Sequence, residues 1–317
     1  MQALRTLLGF LAACAASAAL AQYPQKPIRM VAPFPAGGAL DVVGRIIAVP
    51  MSQSLGQPVV VENRPGADGA IAADHVAKSA PDGYTLFLAS YTNLSAVPNI
   101  RNNLPFDPMS DFMPVSLVGK LCFFLAIHPS LPARTAREFL DYARANPGKL
   151  NYGSANATSM MGPALLASFA KLEMHPINYK GEALALNDFM SGRLQLMFIS
   201  GTLVPHVKDG KLRALATTLE TRSPLLPEVP TMVEAGLPPF PVNPWIALLV
   251  PAKTPKDIVE RLSRETNAAL NRPEIKTQLD NQGFLGAGST PEEMRAVMRD
   301  QLDAWKRTIA DLQLKFD

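Results

Sequence analysis

The sequence predicts an α/β protein of two lobes with a ligand cleft between them. Three observations predict it. The chain has 317 residues, enough for about two domains at ~150 residues each. Short buried strands alternate with helices in one set of units and then in a second. The loops that follow strands are rich in Gly, Ser, Thr and Asn, and open α/β sheets bind ligands beyond the carboxyl ends of their strands.

In the first set, Pro27 to Ala32 reads as a buried strand, punctuated by Pro33 to Gly38. Leu40, Val43, Ile46 and Ile47 have helical spacing, so a helix is expected over Leu40 to Leu55, kinked or ended at Pro50 and stopped by Gly56. Val59 to Val61 is a β-branched strand. Ala70 to Ala80 is an Ala-rich helix, and Pro81-Asp82-Gly83 turns into the strand Tyr84 to Ala89. The order β-α-β-α-β marks a parallel sheet.

In the second set, Leu121 to Ile127 is a continuous apolar run, as a central strand should be. Thr135 and Glu138 fit a capping box for a helix to Asn146. Short strands follow at Leu150 to Gly153, Ile177 to Tyr179, Leu194 to Ile199 and Leu212 to Thr217, with helices over Ala164 to Lys171 and Ala183 to Ser191. Seven prolines between Pro224 and Pro244 predict loops and one short helix near Val233. Ile246 to Val250 is a further strand, and Pro255 to Phe316 is mostly helical.

Composition narrows the function. Hydrophobic residues make up 48% and charged residues 18%, a globular balance with enough apolar surface to offset chain entropy. A net charge of +3 gives no electrostatic footprint for nucleic acid. Met1 to Leu20 carries one positive charge ahead of a short apolar stretch, and Ala19-Leu20-Ala21 has the form of a signal-peptidase site. Residues 1–21 read as a secretory signal peptide cleaved after Ala21. A rival reading takes Leu11 to Cys14 as a lipobox with Cys14 lipidated. Cleavage leaves Cys122 alone, a small buried hydrophobe in an apolar run.

Two loops could hold a ligand. Phe34-Pro35-Ala36-Gly37-Gly38 lets the backbone approach closely, and the helix after it aims free N–H groups at the same spot, which is anion-binding chemistry. Asp41 in the first turn favours the helix dipole. Gly153-Ser154-Ala155-Asn156-Ala157-Thr158-Ser159 mirrors it with neutral donors, although N-capping accounts for one hydroxyl. Ser90-Tyr91-Thr92-Asn93 has similar polar content. Enzyme signals are missing: there is no G-x-S-x-G, no Walker A loop and no His beside a Ser or Cys nucleophile. His206 reads as a solvated loop residue.

Lys26-Pro27-Ile28-Arg29 with Phe34-Pro35-Ala36-Gly37-Gly38 resembles the opening of the tripartite tricarboxylate transporter receptors, the Bug family. The resemblance continues through Val61-Glu62-Asn63-Arg64-Pro65-Gly66-Ala67, Pro81-Asp82-Gly83-Tyr84-Thr85-Leu86, Phe106-Asp107-Pro108 and Pro114 to Val118. It runs on through Ala145 to Ser154, Tyr179-Lys180-Gly181, Gly210 to Ala216, Val229-Pro230-Thr231 and Glu234-Ala235-Gly236. It implies a periplasmic binding protein of the two-lobed Venus flytrap kind, type II-like. Residues 22–120 and 248–317 would form the discontinuous first lobe, and 121–247 the second.

The resemblance further implies a small organic carboxylate as ligand, bound by the Phe34 to Gly38 loop and the Ser154 region partly through water. The ligand would pass to a large and a small membrane subunit. The expected ligand-binding residues are Phe34, Ala36, Gly37, Gly38, Ser90, Thr92, Ser154, Ala155, Thr158, Ser159, Ile199 and Ser200. No cofactor, metal or catalytic residue is expected, and the chain is expected to act as a monomer. Asn156 to Met161, Asn178 and Ile199-Ser200 depart from the family pattern where specificity would be set. Two other readings stay open: a carboxylate sensor feeding a membrane signalling protein, and a hydrolase on a two-lobed scaffold.

Overall fold

The computed structural model describes residues 23–101, 103–179 and 181–312. The leader, its cleavage site, Cys14 and Lys180 lie outside the described residues.

Two sheets organise the chain. The first has the order β11-β4-β10-β3-β1-β2. Its strands are β1 (Ile28–Ala32), β2 (Val59–Asn63), β3 (Thr85–Ser90), β4 (Phe112–Leu121), β10 (Trp245–Pro251) and β11 (Phe284–Gly286). β1 pairs parallel with β2 and β3, as the alternation predicts, and β10 runs antiparallel between β3 and β4. The second has the order β7-β6-β8-β5-β9. Its strands are β5 (Phe123–Ile127), β6 (Leu150–Ser154), β7 (Met174–Asn178), β8 (Leu196–Ser200) and β9 (Arg213–Thr217).

Helices cover the sheets. α1 (Ala39–Leu55), α2 (Ala70–Ala77), α3 (Val97–Ile100), α8 (Lys256–Leu270), α9 (Pro273–Asn281) and α10 (Pro291–Asp311) belong with the first. α4 (Ala136–Ala145), α5 (Ala157–Ala170), α6 (Glu182–Met190) and α7 (Val204–Lys208) belong with the second.

The chain passes from one lobe to the other at Cys122. The apolar run expected as one strand is therefore two, because Leu121 ends a strand of the first sheet and Phe123 begins one of the second. The Cys122 N–H donates to Gly283 C=O at 3.1 Å, and its carbonyl accepts from Gly201 N–H at 2.9 Å. Burial pushes the thiol up to about 11, in keeping with a packed hydrophobe. The return falls between β9 and β10, so Trp245 to Ala247 pair within the first sheet, slightly ahead of the expected boundary.

Several elements differ from expectation. α1 runs through Pro50, because Ile47, Pro50 and Met51 are all buried and tertiary packing outweighs one lost backbone bond. β4 is not among the strands expected from the sequence; Pro114 and Gly119 lie within it, and both residue types weaken a strand pattern. Its pairing with β10 skips register twice, and such bulges tolerate proline. Near Val233 there is no helix. A single turn forms in which Thr231 N–H donates to Glu234 at 2.8 Å and Glu234 N–H donates to the Thr231 hydroxyl at 3.1 Å. His206 lies in α7 rather than in a loop. Thr135 caps α4 by accepting from Glu138 N–H, but the Glu138 carboxylate reaches back to Arg134 N–H instead of closing the box on Thr135.

Candidate functional site

The loop after β3 in the first lobe meets the segment after β6 in the second. The junction is made by Tyr91, which follows β3, and Thr158, in the first turn of α5. Their hydroxyls lie 2.9 Å apart, and both residues are buried. Burial pushes the Tyr91 phenol up, and the nearby Glu182 carboxyl adds to this.

The Phe34–Gly38 loop is built by local sequence. Gly37 has φ +79, a left-handed conformation that glycine adopts without strain. Its N–H donates to the Asp41 carboxylate at 2.9 Å, and Gly38 N–H donates to Pro35 C=O at 3.2 Å. Asp41 is almost fully buried and also receives the Arg45 guanidinium at 2.9 Å. Arg45 first, and then Gly37 N–H, hold its carboxyl below the usual range against the opposing effect of burial. Asn63 at the end of β2 donates to Phe34 C=O at 3.0 Å, so a residue of one motif serves the loop of another. Pro35, Ala36 and Gly37 are exposed, while Phe34 and Gly38 are half-buried.

Behind this loop, Asn93 ties down the end of β3. Its carbonyl oxygen accepts from Ser90 N–H at 3.0 Å, and its amide donates to the Ser90 hydroxyl at 3.1 Å. Thr92 is half-buried beside it. Gly69 fits here because a Cβ would meet Pro33 Cβ at 2.9 Å and the Asn93 side chain at 3.0 Å.

In the second lobe, Asn156 and Ser159 form a complete capping box for α5. The Ser159 hydroxyl accepts from Ala155 N–H at 2.8 Å and Asn156 N–H at 2.9 Å, so capping consumes it and the Ala155 donor. The Ser154 hydroxyl has no partner among the described residues. Ile199 is fully buried in an apolar cluster with Ala185 and Phe189. Strand alternation puts Ile199 and Ser200 on opposite faces of β8.

Ser200 points to a group that sequence reasoning missed. Its N–H and hydroxyl both donate to the Glu182 carboxyl, each at 2.6 Å. Glu182 opens α6, where an acidic residue reads as a dipole partner, so nothing in the sequence separates it from an ordinary helix start. Burial pushes its carboxyl up, and the two Ser200 bonds oppose this. Tyr91 was likewise seen only as one of four polar residues after a strand.

No three His, Cys, Asp or Glu side chains converge to hold a metal ion among the described residues. Two α/β lobes, joined by a buried cross-lobe hydrogen bond and lined by strand-end donors, define the class of two-lobed solute-binding proteins. Residues 43–314 match the tripartite tricarboxylate transporter family receptor. The chain is 38% identical to a UPF0065 protein in the tcbD-tcbE intergenic region of Pseudomonas sp., over 98% of this chain and 94% of that one. A solved structure described as a periplasmic transporter superposes with a TM-score of 0.84 at 36% identity, covering 93% of this chain and all of that one. The structure of R. palustris Rpa4515 with adipate gives a TM-score of 0.84 at 29% identity, covering 93% of this chain and 99% of that one. The chain belongs to the tripartite tricarboxylate transporter receptor family, whose members are periplasmic solute-binding proteins.

Proposed function

We propose that the protein captures a small organic carboxylate between its lobes and delivers it to the large and small membrane subunits of a tripartite transporter. The observation that carries this reading is the Tyr91–Thr158 hydrogen bond, which brings the strand-end loops of both sheets to one seam. The adipate held by Rpa4515, a protein similar along nearly its whole length, supports the choice of ligand class.

The carboxylate is held between the Phe34–Gly38 loop with the start of α1 and the Ser154 loop. The Ala36 N–H and the Ser154 hydroxyl are its first donors, since neither has a partner among the described residues. Asp41 competes for Gly37 N–H, so the ligand is bound by few, neutral donors. Charge-assisted bonds to such donors contribute ~1.5–3 kcal/mol each, so two or three suffice for ~μM binding after association costs. Ser90, Thr92, Ala155, Thr158, Ser159 and Ser200 shape the cleft. The mature chain begins after Ala21 and works as a monomer.

Thermal unfolding with a panel of linear and aromatic carboxylates tests the reading. A ligand at 100 times its Kd adds ~2.7 kcal/mol of stability. No response to any carboxylate, in a protein that unfolds cooperatively, overturns it. A dimer in sedimentation at micromolar concentration overturns the monomer.

A further inference from the structure

We infer that Glu182 makes this cleft selective for zwitterions, ligands with a carboxylate at one end and an ammonium group at the other. The inference rests on the carboxylate-receptor reading above and adds what the far end of the ligand must be.

Glu182 is placed by the backbone rather than by its own helix face. Gly181 turns at φ 141, open only to glycine without strain, and delivers Glu182 to the carboxyl end of β8. There the carboxyl grips Ser200, one oxygen on the N–H and the other on the hydroxyl, each at 2.6 Å. β8 runs parallel with β6, so Ser200 and the carboxyl it holds lie at the same end of the sheet as Ser154 and the Tyr91–Thr158 contact.

Each carboxylate oxygen can accept about two hydrogen bonds. Ser200 fills one position on each and leaves the others open. Among the described residues no Lys, Arg or His forms an ion pair with Glu182, although the structure holds thirteen such pairs elsewhere. Glu182 is half-buried, and a carboxylate that has given up part of its water gains from a cationic partner. An ammonium group supplies the missing charge and the missing donors together. A second ligand carboxylate at that end meets like charge instead. The plainer role, in which Glu182 only fastens Ser200 and complements the start of α6, requires no discrimination between the two.

Matched ligand pairs separate the two roles. In succinate and 4-aminobutanoate, glutarate and 5-aminopentanoate, and adipate and 6-aminohexanoate, one carboxylate is exchanged for an aminomethyl group. Calorimetry with all three pairs is run on the wild-type protein and on Glu182→Gln, with circular dichroism to verify the fold. A zwitterion should bind roughly tenfold or more tighter than its matched diacid, the value of one charge-assisted bond. Glu182→Gln should cut that ratio about tenfold, by weakening the zwitterion, strengthening the diacid or both. A diacid that binds as tightly as its zwitterion, or a ratio unchanged in Glu182→Gln, overturns the assignment and leaves the carboxylate receptor standing. If Glu182→Gln fails to fold, Ser200→Ala, which frees one carboxyl oxygen and keeps the charge, must retain the wild-type preference, and its loss overturns the assignment. Silence of every acid in the wider panel overturns both.

Discussion

Removing one hydroxyl of the Tyr91–Thr158 pair should act on the juxtaposition of the lobes and spare each lobe's own fold. The two hydroxyls are 2.9 Å apart and both residues are buried. In Tyr91→Phe the Thr158 hydroxyl keeps its burial and loses its partner, and Thr158→Val does the same to the phenol. An orphaned buried hydroxyl costs ~1–3 kcal/mol. When the lobes part, both groups reach water and the cost disappears. The whole penalty therefore falls on the ligand-binding arrangement, and affinity should drop about 5- to 150-fold. The double variant removes both polar groups, so it should bind better than the sum of the singles predicts, with ~0.5–3 kcal/mol of coupling. Calorimetric titration of the four proteins with one carboxylate completes the cycle. Singles within twofold of wild type, or a double variant equal to the sum, would refute the latch.

Gly201→Ala should loosen the junction, because its Cβ would lie 2.5 Å from the Gly283 Cα and backbone cannot give way as a side chain can. Overpacking of this kind costs ~1–3 kcal/mol, and an unchanged urea midpoint would show that the contact is slack. Asp41 should stabilise the Phe34–Gly38 loop only while ionised. Its folded pKa is lowered, chiefly by Arg45, so its contribution is complete above ~4 and is lost as pH falls through the lowered value. The urea stability gap between wild type and Asp41→Asn should hold steady from pH 7 to ~4 and then close, and a constant gap down to pH 3 excludes this role. Asn156→Ala removes the acceptor of the α5 capping box and should lower stability by ~1 kcal/mol in thermal unfolding; no change would mean that Ser159 alone caps the helix.

Much of the fold was legible because the strands of the first sheet carry their own pattern. Ile28 to Ala32 and Thr85 to Ser90 are almost wholly buried, and buried strands read as apolar runs. The division at Cys122 was not legible. Leu121 and Phe123 are equally apolar, and only the partner strands decide which sheet each joins. In the cleft, the loops were found from their glycines and hydroxyls. Which hydroxyls remain for a ligand was not, because Ser159 and Ser154 look alike until the capping box is seen. Glu182 and Tyr91 escaped for a related reason: their roles depend on residues in the opposite loop or lobe, and no local spacing encodes such a contact.

The position of β10 has a consequence for how the chain must fold. It lies between β3 and β4, so the centre of the first sheet is missing until Trp245–Pro251 arrives. The second sheet draws all its strands from the uninterrupted stretch between Phe123 and Thr217. During synthesis and export it can therefore finish pairing while β3 and β4 still present apolar edges to each other across a gap. Open edges of that kind invite pairing with other chains, and contacts between distant segments form slowly. The part of the protein made first is thus completed last, and truncation between Thr217 and Trp245 keeps every strand of the second sheet while leaving the amino-terminal sheet without its centre.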